Sequence, residues 1–234
     1  KSCPQIENVA GRRQLVALGN EPGHHALFSL ANGRCGIIAS IDECASFPDL
    51  LMPDGYVSRP IHYHEAFPGY ATATDTRVKC PSPVYFAVKL DGEVVDFDAA
   101  VCEENARRLD LMSGILHRTA RWRLADGRRF EIAAERLVPV DGGAMVASSI
   151  EFRPVNFSAN VVLQPDFGRS RLGSMQDDDP RISGAAEIDW ESLPEQDGLF
   201  WFRGGGCEFA CRQRLENADG EPVASDQIEA FVEA

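Results

Sequence analysis

The sequence predicts an all-β protein built as a large two-sheet antiparallel β-sandwich. Three observations predict it. Residues 109–152 alternate apolar and polar side chains with period two over three successive runs, the mark of half-buried strands. Turn dipeptides such as Asn32-Gly33, Asp91-Gly92 and Asp126-Gly127 separate short apolar runs along the chain. No stretch repeats apolar residues at helical spacing over several turns.

The central run is the clearest. Leu116, Ala120, Trp122 and Leu124 share one parity, and His117, Thr119, Arg121 and Arg123 share the other. Arg118 is the one charged residue on the apolar parity. Asp126-Gly127 reverses the chain, because this dipeptide accepts the positive φ of a tight hairpin. The return strand sets Phe130, Ile132, Ala134 and Val138 on one face, with Arg129, Glu131 and Glu135 on the other. A second reversal at Asp141-Gly142-Gly143 leads to a third strand over residues 144–152, with Val146, Ile150 and Phe152 on one parity. A meander with one apolar face must bury it, most often against a second sheet.

The remaining chain is read in order. Residues 1–21 start weakly, with a short strand at 15–18. Asn32-Gly33 marks a hairpin between two apolar runs. Residues 45–59 form a loop rich in Pro and Gly. Strands follow at 76–80 and 84–90, and Asp91-Gly92 turns into Val94-Val95-Asp96-Phe97. Residues 99–108 hold helix formers without an apolar period and read as a connector or a short turn of helix. Residues 156–163 form another strand, with Phe157, Val161 and Leu163 on one parity. Residues 165–180 form a loop carrying the acidic run Asp177-Asp178-Asp179. Further strands are expected at 182–188, 198–202 and 208–215, with a turn at 217–220. Residues 225–234 fit either a strand or the first turns of a helix capped by Ser225 or Asp226.

Composition bounds the function. Of 234 residues, 44% are hydrophobic and 25% charged, an ordinary globular balance that supports one domain over 1–234. The formal net charge of -13 disfavours nucleic acid and anionic membrane as partners. No apolar run has the length of a membrane span. The 7 cysteines are odd in number and irregularly spaced, which fits free thiols and a cytoplasmic location better than a disulfide framework.

Candidate chemistry is sparse. Tyr63 and Glu65 stand two apart, so on a strand both face one way, with His62 and His64 opposite. A tyrosine ring beside a carboxylate suits sugar hydroxyls, and the same residues fit an ordered loop around a buried tyrosine. His62-x-His64 lacks the third and fourth ligands of a zinc site, so no metal and no cofactor is expected. Cys207 and Cys211 read as strand residues too far apart to bond. Gly204-Gly205-Gly206 lacks the helix and lysine of a phosphate loop and reads as a bulge or loose turn. Asp177 to Asp179 lack the spacing of a calcium loop. With 36 acidic residues, no catalytic pair can be nominated, and no catalytic residue is assigned.

Several of these residues also carry a resemblance. Leu109-Asp110-Leu111, Gly114, Leu116, Arg118, Arg121-Trp122 and the Asp126-Gly127 turn resemble the N-terminal domain of glycoside hydrolase family 65. Leu27, Phe28, Asn32, Gly33 and Gly36 match a second stretch, although Ile38-Ala39 stands where the family usually has Arg-Gly. Tyr63, Glu65, Gly69, Tyr70 and Ala71 match a third, seen in the trehalose- and kojibiose-type branch. The resemblance implies a super-sandwich of the galactose-mutarotase type. It implies a protein whose catalytic acid and phosphate site lie in a separate helical (α/α) barrel absent from this chain. Implied partners are that barrel, a second copy in a homodimer, and a disaccharide with phosphate in the whole enzyme. Within this picture Tyr63 and Glu65 are the substrate-binding candidates. Two other classes compete: a stand-alone carbohydrate-binding module, and an aldose-epimerase-like enzyme in which His117 and a carboxylate meet in a cleft.

Overall fold

The computed structural model describes residues 3–19, 22–38, 41–44, 56–65, 67–77, 80, 84–165, 191–196, 199–204, 207–212, 216 and 228–233, and every statement below concerns these. The strands are β1 (Gln5–Val9), β2 (Arg12–Leu18), β3 (Leu30–Ala31), β4 (Gly36–Ile37), β5 (Tyr56–Pro60), β6 (Ala73–Arg77), β7 (Phe86–Leu90) and β8 (Glu93–Val94). They continue as β9 (Val101–Asp110), β10 (Leu116–Arg123), β11 (Arg129–Leu137), β12 (Ala147–Pro154) and β13 (Ala159–Pro165). The last are β14 (Glu191–Gln196), β15 (Leu199–Gly204), β16 (Cys207–Cys211) and β17 (Ile228–Val232). One short helix, α1 (Pro22–Leu27), interrupts them.

A six-stranded sheet runs β1-β2-β9-β10-β11-β12, and a four-stranded sheet runs β17-β13-β7-β8. Their pairings are antiparallel throughout. The two sheets share one apolar cluster: Ala120, Trp122, Phe130 and Ile132 from the first meet Phe86, Val88, Leu90 and Val161 from the second. Trp122 is 2% exposed, as its parity requires, and Phe97 meets it edge-on at 4.9 Å. The two-sheet sandwich is therefore present, and its central meander has the expected faces. A second cluster around Phe28, Ile37, Leu116 and Val138 fills the other end.

The hairpins show why the turns were readable. Asp91 and Gly92 both have positive φ, the signature of a type I′ turn. At Asp126-Gly127 only Gly127 does, and the Asp126 carboxylate instead accepts the Arg128 N–H at 2.9 Å. Asn32 does more than turn the chain. Its carboxamide oxygen accepts the N–H groups of Arg34 and Cys35, and its nitrogen donates to the carbonyls of Pro139 and Gly143, each at 2.7 Å. The β3–β4 hairpin is thereby tied to the turn between β11 and β12.

Several expectations are corrected. Of residues 99–108, expected as a connector or short helix, 101–108 belong to β9, an inner strand between β2 and β10. The weak start contains β1, which pairs with β2 along its length. The apolar run before Asn32 begins as α1 rather than as a strand. Residues 56–59, expected as the end of a loop, belong to β5. The third meander strand starts at Ala147 rather than at 144, and the strand placed at 156–163 runs Ala159–Pro165. The strand at 208–215 is the shorter β16, and β14 was not expected. Pro194 explains that omission: β14 is the edge of its sheet, where a residue without an N–H is tolerated. Of residues 225–234, the span 228–232 is strand, not helix. The strand at 182–188, the turn at 217–220 and the acidic run Asp177 to Asp179 lie outside the described residues.

Candidate functional site

The β5–β6 hairpin carries the residues singled out in the sequence. Its ladder pairs Pro60 with Ala73 and extends by one bond, from the Ile61 N–H to the Thr72 carbonyl at 3.0 Å. Residues 62–65 and 67–71 are then loop rather than strand. Tyr63 and Glu65 consequently do not share a strand face. Tyr63 is half-buried and Glu65 is exposed.

The loop has a core of its own. Phe67-Pro68-Gly69-Tyr70 is a turn closed by the Tyr70 N–H on the Phe67 carbonyl at 3.2 Å, with φ of +93 at Gly69. Proline second and a positive-φ glycine third make this a type II turn. The turn sets the Phe67 and Tyr70 rings 5.5 Å apart at 56°, and Tyr70 also meets Tyr63 at 5.1 Å and 59°. Phe67 and Tyr70 are still 53% and 51% exposed. Among the described side chains of residues 56–75 none is fully buried, so the three rings are not part of the sandwich core. Phe67 escaped the sequence reading, although the Phe-Pro-Gly-Tyr turn signal already brings its ring to Tyr70. His62 and His64 are exposed, and no group of three metal-binding side chains occurs among the described residues.

A second polar constellation is buried. The segment Ile41–Cys44 runs between the sheets, joined to β7 through the Phe86 N–H on the Asp42 carbonyl at 3.1 Å. Glu43 accepts from the Arg118 guanidinium and, at 2.9 Å, from the Trp122 indole N–H. Asp42 accepts from Arg136, which also donates to the Ile38 carbonyl at 3.1 Å. Burial alone would depress the Arg118 pKa, but Glu43 and Asp42 more than offset this, so it lies above the ordinary value. Arg107, buried nearby, is lowered to about 10 by desolvation and by the neighbouring Arg118 charge. The charged residue on the apolar parity is thus an anchor for the 41–44 segment. Asp42 and Glu43 gave no sequence signal, because their partners lie 94 and 75 residues away.

His117 does not meet a carboxylate in a cleft. Its Nδ1 lies 3.0 Å from Glu135 across the β10–β11 ladder, with both side chains well exposed on the outer face. An open cleft of about 240 Å³ lies instead between the β7–β8 and β10–β11 turns. Two of its carboxylates serve the turns: Asp96 accepts the Asp98 and Ala99 N–H groups, and Asp126 holds Arg128. Where carboxyl titration is displaced, at Asp110, Asp126 and Glu151, it is displaced downward by hydrogen bonds to the charged form. Cys3 is exposed, Cys102 is half-buried, and Cys35, Cys44 and Cys80 are buried. No described helix is long and apolar enough to cross a membrane.

Comparison with known proteins places this architecture. A solved structure described as a putative kojibiose phosphorylase from human microbiome superposes with a TM-score of 0.66 at 17% identity, over 99% of this chain and 31% of that one. An uncharacterized glycosyl hydrolase of Mycobacterium tuberculosis is 28% identical over 160 residues, 68% of this chain and 20% of the relative. Kojibiose phosphorylase of Escherichia coli is 29% identical over 158 residues, 64% of this chain and 20% of the relative. The chain thus spans about a fifth of the length of these curated relatives. The family model "Glycosyl hydrolase family 65, N-terminal domain" matches residues 18–213. By that match over most of its length, the chain belongs to the glycosyl hydrolase family 65 N-terminal domain family.

Proposed function

We propose that this chain is the non-catalytic N-terminal sandwich of a larger cytoplasmic enzyme, a disaccharide phosphorylase or hydrolase acting on α-glucosides. Its work is to support a catalytic barrel, to take part in a dimer, and to help position the disaccharide through the loop carrying Tyr63 and Glu65. One observation carries the reading: the match fills most of the chain yet only about a fifth of its relatives, leaving the larger part of such an enzyme to hold the chemistry.

The chemistry of the described residues supports it. Breaking a glycosidic bond needs a carboxylic acid kept protonated by its surroundings. Glu43, Asp42 and Asp110 each accept from an arginine, and at Asp110 the Met112 N–H and then Arg12 hold the carboxyl below its ordinary range. Glu65 is exposed beside an aromatic cluster, where an acceptor can orient a sugar hydroxyl without transferring a proton.

In the complete enzyme, Glu65→Gln is expected to raise KM for the disaccharide and leave kcat within a few fold, because uniform binding is what the substitution removes. A fall in kcat of about a thousandfold at unchanged KM would assign Glu65 to the transition state. If neither constant moves, the loop serves only the fold and the positioning role is wrong.

A further inference from the structure

We infer that Phe67 and Tyr70 form a stacking platform for the pyranose ring of a neutral glucoside. This rests on the reading of the β5–β6 loop as substrate-facing. Four observations converge on these two rings. They are half exposed, whereas Trp122, Phe130 and Phe97 are spent in the core. They are held in place: the type II turn fixes their spacing, and the Tyr63 ring lies 5.1 Å from that of Tyr70. A platform ordered before binding loses little conformational entropy when a ligand arrives. Polar groups that can orient a ligand lie on the same loop, namely exposed Glu65, His62 and His64.

The surroundings select the ligand. A sugar ring offers C–H groups to the negative face of an aromatic ring and hydroxyls to a carboxylate. On the same hairpin Arg59 and Arg77 balance Glu65 and Asp75, within a chain of net charge -13 that disfavours phosphorylated sugars and nucleic acid. An aromatic patch without local net charge fits an uncharged polyol with an apolar face.

The test uses the 234-residue chain with methyl α-D-glucopyranoside and with maltose as probes, read by saturation-transfer NMR. The expected result is transfer from aromatic protons to the pyranose ring protons, weaker for glucose 6-phosphate. The double variant F67A/Y70A is expected to lose about tenfold in affinity, as removal of central aromatic anchors does. Circular dichroism and tryptophan emission of that variant should match the native chain, since both rings lie outside the core. Should it fail to fold, the pair Tyr70→Phe and Phe67→Tyr keeps both rings and is expected to keep the transfer. Absence of transfer in the native chain, or equal transfer in the double variant, overturns the platform. So does a shift in sedimentation or in binding to the catalytic domain at undiminished sugar contact, which would make the rings a protein interface. The Glu65→Gln kinetics fail or stand separately, because they read the whole enzyme and a different side chain.

Discussion

Trp122 shows how one side chain serves packing and polarity together. Its ring fills the space between the sheets, with Phe97 edge-on, while its indole N–H points at the buried Glu43 carboxylate. The same carboxylate takes Arg118, so one buried anion holds donors from two residues of β10. Trp122→Ala is expected to cost roughly 3–5 kcal/mol in urea unfolding, the range for a large core aromatic. Trp122→Phe keeps most of the apolar surface but leaves the carboxylate one donor short, and should cost roughly 1–3 kcal/mol. A cost under about 1 kcal/mol for the alanine variant would mean the ring is not sandwiched. The position of Trp122 was legible because parity alone assigns it to the core. Its partner was not, because no local pattern links Glu43 to a residue 79 positions on.

At the scale of elements, β9 marks where sequence reasoning stops. A half-buried strand is recognised by apolar residues at every second position. In β9 the buried parity includes Asn105 and Arg107, so the alternation is there in burial but not in hydrophobicity. Its alanine, glutamates and arginines favour helix, yet pairing with β2 and β10 on both sides overrides that preference. A register shift opposite Arg121 and Trp122 breaks the phase as well, leaving Glu103 without a direct partner residue. The meander, by contrast, keeps its phase, so its alternation is legible, and only its third strand is displaced, to Ala147–Pro154.

Asp110 ends β9 and gives the element a pH signature. Its carboxylate accepts the Met112 N–H at 2.8 Å, the Arg12 guanidinium at 2.8 Å and the Ser113 N–H at 3.3 Å. The Met112 bond first, then Arg12, lower its pKa from 3.8 to about 2. A group bound more tightly as the anion stabilises the fold at every pH above its unfolded pKa. That contribution disappears as pH falls through the folded value. The melting temperature is therefore expected to drop between about pH 4 and pH 2, and Asp110→Asn should flatten the drop within that window while lowering stability near neutrality. An unchanged profile in the variant would show that the turn does not depend on the charge.

For the whole molecule, the division of labour follows from what a sandwich can and cannot do. Two large sheets bury their alternate residues and leave loops at the rims free to carry recognition. Every deeply buried carboxylate described here is matched by an arginine, which ties it into the fold. Under the proposed function, recognition falls to the β5–β6 loop and bond breaking to another part of the enzyme. The overall architecture was legible because it depends on many alternating residues at once. The loop was only half legible, because its geometry depends on one turn and three ring contacts. The chain alone, incubated with maltose, trehalose or kojibiose and phosphate, is expected to release neither glucose nor glucose 1-phosphate. The complete enzyme should release them from its preferred disaccharide. Chromatography of the reaction mixtures reads both. Turnover by the pure chain that disappears on neutralising one of its carboxylates would place the general acid in the sandwich. A raised carboxyl pKa would then have to be found among the loops.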